Sequence, residues 1–138
     1  MKQTINVLVV EDNEYYNNLI LNALQQSIHF MQKKLNFRLI LHSFTDSFDC
    51  IREIETSLFK NNDVVAFVDQ NLDNGVNGNQ IIGLLKKGNN NTLAVLLSQS
   101  PVEEKCIQNT YDFFVLKDIF APALCRLYLD QYIENKFL

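Results

Sequence analysis

Four short apolar runs in this 138-residue chain stop on residues with charged or reactive side chains. Ile5 to Val10 is followed by Glu11 and Asp12, Val64 to Val68 by Asp69, Leu93 to Leu97 by Ser98, and Phe113 to Leu116 by Lys117. Carboxylates brought together repel one another and raise each other's pKa unless a hard cation sits among them. Magnesium suits such a set, because it favours carboxylate, carbonyl and water oxygens and commonly works beside a phosphate. A hydroxyl and an ammonium at the same place supply a hydrogen-bond donor and a counter-charge for phosphate oxygens. Asp69 is therefore read as the reactive residue, with Glu11, Asp12, Ser98 and Lys117 converging on it.

For these residues to meet, the runs must be strands whose carboxyl ends share one edge of a sheet. Val64 to Val68 is too short for a globular helix and contains no polar residue, the pattern of a strand buried on both faces. Ile5 to Val10 is a near-continuous apolar run, rich in β-branched residues, and reads as the first strand. A long amphipathic helix is predicted from Glu14 to about Lys34, with Tyr16, Leu19, Ile20, Ala23, Leu24, Ile28 and Met31 at three- and four-residue spacings and Asp12 or Asn13 as its cap. Phe37 to Phe44 reads as the second strand. Thr45-Asp46-Ser47 starts a helix whose face is Phe48, Ile51, Ile54, Leu58 and Phe59.

Asn71 to Asn77 reads as an exposed loop, and Ile81, Ile82, Leu84 and Leu85 as a short helix ending at Lys86-Lys87-Gly88. Pro101, Glu103 and Glu104 open a further helix reaching about Asn109. A terminal helix running to about Asn135 is predicted to bury Phe120, Leu124, Leu127, Tyr128 and Gln131. Five strands alternating with five helices call for an α/β, doubly wound, parallel sheet in the order 2-1-3-4-5, a flavodoxin-like three-layer sandwich.

Composition narrows the function classes. The chain is 47% hydrophobic and 20% charged with a net charge of −4, a globular profile of one domain's size spanning residues 1–138. An acidic chain without a basic cluster argues against nucleic acid as a partner. No apolar run reaches the roughly 20 residues of a membrane helix, and no secretory signal precedes the first strand. Cys50, Cys106 and Cys125 are widely spaced with no C-x-x-C pair, so they read as small core residues in a reducing cytoplasm. His29 and His42 have no partner spacing and read as structural.

The strand ends resemble those of a known family. Val7-Leu8-Val9-Val10-Glu11-Asp12, Val68-Asp69-Gln70-Asn71-Leu72 with Gly78 after it, Leu97-Ser98 and Phe114-Val115-Leu116-Lys117 are similar to the receiver domain of two-component response regulators. The resemblance runs from the first strand to the last helix. It implies that Asp69 accepts a phosphoryl group from a histidine kinase or phosphotransfer protein. Glu11, Asp12 and Asp69 would bind Mg2+ with the main-chain carbonyl of Asn71, Ser98 would contact the phosphoryl group, and Lys117 would pair with it. Phe114 would be the aromatic whose rotamer tracks activation, and Asn71 and Ser100 would influence how long the phosphoryl group survives. The family commonly docks partners or dimerises through its fourth helix, fifth strand and fifth helix, and the surplus of Ile107, Tyr111, Leu129, Tyr132, Ile133 and Phe137 in that region suits either an apolar face there or a thick local core. No output domain follows in the sequence, so the effect is expected through a downstream protein, a further relay step or self-association.

Several residues depart from the family pattern. Asp118 stands where a proline with a cis peptide usually follows the lysine, and a cis bond without proline costs ~2.5–4 kcal/mol, so a trans bond is expected. The loop after Asp69 lacks the common proline and is one residue longer before Gly78. Gln99 replaces a small residue after the hydroxyl, which would narrow access to Asp69, and the segment between Ser98 and Lys117 is short. These changes make a phosphorylation-independent docking module the alternative. A hydrolase working through an aspartyl-phosphate, as in haloacid-dehalogenase-like phosphatases, would need a second carboxylate two residues after the nucleophile, where Asn71 stands. Neither common phosphate-loop glycine motif is present.

Overall fold

The computed structural model describes residues 3–34, 37–56, 59, 62–72, 75–89, 91–100 and 110–137. Nine elements follow in order: β1 (Gln3–Val10), α1 (Glu14–Lys34), β2 (Phe37–Phe44), α2 (Ser47–Glu55), β3 (Asp63–Asp69), α3 (Gly78–Gly88), β4 (Thr92–Ser98), β5 (Phe113–Leu116) and α4 (Ala121–Phe137). The five strands form one sheet in the order β2-β1-β3-β4-β5, every pairing parallel. The predicted sheet and its order are therefore observed. The helix expected from Pro101 to Asn109, with Cys106 and Ile107, lies outside the described residues, as does Leu58; among the described residues there are four helices.

The alternation of side chains along each strand divides the apolar residues between two cores. Ile5, Val7 and Val9 of β1, Val65 and Phe67 of β3, and Val95 and Leu97 of β4 face α1 and α4. Leu8 and Val10 of β1, Val64, Ala66 and Val68 of β3, and Ala94 and Leu96 of β4 face α2 and α3. Every residue of β3 is buried, as expected of a strand covered on both faces. The result is three layers, with two of the described helices on each face of the sheet.

The helix faces need corrections. In α4 the buried stripe is Ala121, Cys125, Leu129 and Ile133, all 0% exposed, and not the predicted Phe120, Leu124 and Leu127, which are 64%, 37% and 48% exposed. Apolar residues occur on both sides of this helix, so periodicity alone could not choose the side. The choice came from α1 and the sheet: Ile20, Leu24 and Leu97 share the first core with Ala121 and Cys125, whose small side chains let the layers approach closely. In α2, Cys50 is fully buried and Phe48 is 46% exposed, and in α3 Leu84 is also exposed. Cys50 and Cys125 are core residues as read from the sequence, and burial pushes both thiols up to about 12, which keeps them protonated. His42 is structural as expected: its Nε2 lies 2.9 Å from Asn6 Oδ1, and its ring meets Phe59 edge-on.

Candidate functional site

Strand order reverses between β1 and β3, and the crevice of an open α/β sheet forms at the carboxyl ends of the strands flanking such a reversal. The register aligns Val10 with Val68, so the next residues, Glu11 and Asp69, emerge side by side. On the other flank Ser98 pairs with Leu116, and the Lys117 N–H donates to the Ser98 carbonyl at 2.8 Å. The sheet thus delivers all four strand ends to one edge.

There Glu11, Asp12 and Asp69 each present a carboxylate oxygen within 4.8 Å of the others. Glu11 is 0% and Asp69 3% exposed, while Asp12 is half-buried. Lys117 Nζ lies 3.1 Å from both Glu11 carboxylate oxygens and 3.5 Å from Asp69 Oδ2. Burial, and then the adjacent Asp69 carboxylate, push the Glu11 carboxyl up to about 7 against the opposing pull of Lys117. A cavity of about 390 Å³ opens onto these groups, lined by Glu11, Asp12, Asn13, Asp69, Asn71, Gln99 and Lys117. Its three carboxylates are the hard-oxygen chemistry that a magnesium ion favours.

The loop after Asp69 is closed by local hydrogen bonds. Asn71 and Asn77 form an isolated antiparallel bridge, the Gly78 N–H donates to the Gln70 carbonyl at 3.0 Å, and the Asn71 N–H reaches Asp69 Oδ1 at 3.4 Å. Asn77 caps α3 in a reciprocal box with Gln80. Gly78 packs directly against Asp69: a Cβ there would stand 2.4 Å from the Asp69 carbonyl oxygen. Asn71 borders the cavity.

The remaining sequence-derived positions fall around this centre. Ser98 is 3% exposed and its Oγ accepts from the Ser100 N–H at 3.4 Å; the cavity is lined by its neighbour Gln99. Phe114 is half-buried against the second core, its ring 6.5 Å from that of Tyr111. Asp118 takes a structural part, accepting from the Phe120 N–H at 2.8 Å at the start of α4, and there is no cis peptide among the described residues. Three contributors were not singled out for the site by the sequence. Asn13 caps α1 by accepting from the Tyr16 N–H at 2.8 Å. Buried Asn17 donates to the carbonyls of Glu11 and Phe44 and accepts from the Ser43 hydroxyl, which ties the end of β1 to β2. The Tyr16 ring lies under Lys117 Nζ, 4.5 Å from it. Of these, only the cap at Asn13 carried a signal in the sequence.

No family model matches the sequence, and no curated protein does. Solved structures do match. The BeF3-activated receiver domain of DrrB, from Thermotoga maritima, is 20% identical, with 97% of this chain and 99% of that one aligned at a TM-score of 0.67. The isolated REC domain of RcsB from Salmonella enterica serovar Typhimurium, in the presence of phosphomimetic BeF3, is 17% identical over 99% of this chain and 93% of its own, with a TM-score of 0.68. The chain has the receiver-domain fold. A two-component response regulator from Cytophaga hutchinsonii gives the same receiver likeness at 22% identity, covering 94% of this chain and 97% of that one with a TM-score of 0.64. In this receiver fold the acidic cluster lies at the crevice described above, at the carboxyl ends of β1 and β3.

Proposed function

We propose that the chain is a phosphoacceptor signalling domain, in which Asp69 receives a phosphoryl group from a histidine kinase or phosphotransfer protein and the modified domain acts on a downstream protein. The observation that carries this reading is the buried Asp69 carboxylate at the end of the central strand, with Glu11 and Asp12 oxygens within 4.8 Å and the Lys117 ammonium at 3.5 Å. In the transfer an Asp69 oxygen attacks the phosphorus of a phosphohistidine. An O–P bond forms as the N–P bond breaks, and the departing imidazole nitrogen takes up a proton. Hydrolysis follows when water attacks the phosphorus, releasing inorganic phosphate and restoring the carboxylate. The chain catalyses its own modification and reversal.

Glu11, Asp12, Asp69 and the main-chain carbonyl of Asn71 are the groups that would hold Mg2+. When bound, the ion offsets the negative charge that carboxylates and phosphoryl oxygens bring together. Lys117 supplies the cation that moves from Glu11 toward the new phosphoryl oxygens. Ser98, buried at the end of β4, would contact those oxygens, and its movement would change the space available to Phe114, which is the switch. Exposed Phe113, Leu116, Ile119 and Phe120 offer the downstream protein, or a second copy, an apolar surface. Such a switch works in the cytoplasm, beside its kinase.

A second reading, docking without phosphorylation, is favoured by Gln99 at the cavity wall and by the prior engagement of Lys117 with Glu11. Intact mass after incubation with acetyl phosphate and magnesium separates the two. One added phosphoryl group in the wild type and none in Asp69→Asn is the expected result. No addition to either, together with failure to bind beryllium fluoride and magnesium, would leave the docking reading.

A further inference from the structure

The reactive edge contains one ammonium among its lining residues, and something other than the carboxylates touches it. Lys117 Nζ lies 4.5 Å from the centre of the Tyr16 ring, and with Glu11, Asp69 and this ring around it the lysine side chain is 8% exposed. A cation over an aromatic face is attracted by the ring's quadrupole, and more strongly where water is excluded. The ring is itself held in place. Tyr16 sits in the first turn of α1, its N–H donates to Asn13 Oδ1 at 2.8 Å, and the Asn17 N–H donates to the Asn13 carbonyl at 2.8 Å. Asn17 also holds the Glu11 carbonyl at 3.1 Å and the Asn13 N–H donates to Glu11 Oε1 at 3.3 Å, so one helix start holds both the carboxylate and the residue whose ring contacts the lysine. The Tyr16 hydroxyl is buried without a hydrogen-bond partner, so the contact draws on the ring and not on the phenol oxygen.

We propose that Tyr16 is a positioning residue for Lys117, its ring holding the ammonium between Glu11 and Asp69 and shielding it from water. This deepens the phosphoacceptor reading and rests on it for its consequence, since the lysine is the counter-charge for the incoming group. Without the ring the ammonium gains water and freedom to leave the cluster, and the phosphoryl group then meets a less ordered cation.

The test reads Lys117 directly. The full chain is treated briefly with an amine-reactive acetylating ester, and modification of each lysine is followed by peptide mass, with Lys86 of α3, paired to Asp112, as internal reference. Tyr16→Leu is expected to speed labelling of Lys117 relative to Lys86 by about threefold to tenfold, the scale of a lost partly buried cation–π contact. Tyr16→Phe, which keeps the ring, is expected to restore the protection. Tyr16→Met serves the same purpose if the leucine variant does not fold. Unchanged Lys117 labelling in Tyr16→Leu, equal exposure in Tyr16→Phe, or equal acceleration at Lys86 would each overturn the proposal. In parallel, phosphoryl uptake from acetyl phosphate and magnesium should slow in Tyr16→Leu and recover in Tyr16→Phe. If the wild type takes up no phosphoryl group, the phosphoacceptor reading fails, while Lys117 labelling still decides whether Tyr16 positions the lysine.

Discussion

At the scale of single residues, the site is built from groups that are costly to bury alone and tolerable together. A carboxylate moved out of water loses on the order of several kcal/mol of solvation unless a partner and hydrogen bonds replace it. Glu11, fully buried, meets this condition through both contacts to Lys117, and its carboxyl is still pushed up to about 7 by burial and by Asp69. The same crowding makes Gly78 exacting. A methyl group there would overlap the Asp69 carbonyl oxygen, a backbone atom that cannot rotate aside. Gly78→Ala is expected to cost about 1–3 kcal/mol, the usual range for overpacking, in urea denaturation. It is also expected to lower phosphoryl uptake by displacing Asp69, and an alanine variant with wild-type stability and uptake would contradict this geometry.

At the scale of elements, each helix is fitted to the layer it closes. α4 buries Ala121, Cys125, Leu129 and Ile133 against α1 and the sheet and leaves Leu127 half-exposed. Truncating a fully buried leucine removes its transfer free energy and leaves a cavity, so Leu129→Ala should cost about 2–5 kcal/mol. Leu127→Ala should stay within about 0.5 kcal/mol of the wild type, as surface changes usually do. Paired denaturant midpoints check the assignment, and the order would invert if the side predicted from periodicity were the buried one. The loop from Asp69 to Gly78 is the corresponding element on the other face. Its Asn71–Asn77 bridge and the α3 capping box keep Asn71 beside the cavity.

At the scale of the whole molecule, a cation bound at the acidic cluster would couple binding to folding, because the cluster's members come from strands distant in sequence. Glu11 and Asp69 are neighbours only when β1 and β3 are paired. A cation held by Glu11, Asp12 and Asp69 therefore binds the folded chain and not the unfolded one. Under the proposed function, magnesium at one hundred times its Kd should add about 2.7 kcal/mol of stability. Thermal melts with magnesium and then with excess EDTA measure the effect, which Asp12→Ala should abolish. Equal melting temperatures of the wild type with and without millimolar magnesium would argue against a metal site at this edge.

The inner strands were legible in the sequence because doubly buried strands leave near-continuous apolar runs between turns, the edge strands β2 and β5 because shorter apolar stretches stand between turns, and the order because alternating strands and helices admit few parallel arrangements. The meeting of Glu11, Asp12, Asp69 and Lys117 was legible for a related reason: they follow apolar runs, and a parallel sheet gathers the carboxyl ends of its strands. Three things were decided only by tertiary packing. The buried side of α4 depended on which of its two apolar sides fitted α1 and the sheet. The placement of Gln99 on the cavity wall, next in sequence to buried Ser98, depended on how β4 ends beside Asp69 and Lys117. The contact of Tyr16 with Lys117 joins residues at opposite ends of the sequence, and neither residue's neighbours in the chain announce it. Periodicity and strand ends are properties of adjacent residues and can be read along the chain. Which side faces inward and which distant groups touch depend on volumes and charges supplied by other elements, and those exist only once the layers have closed.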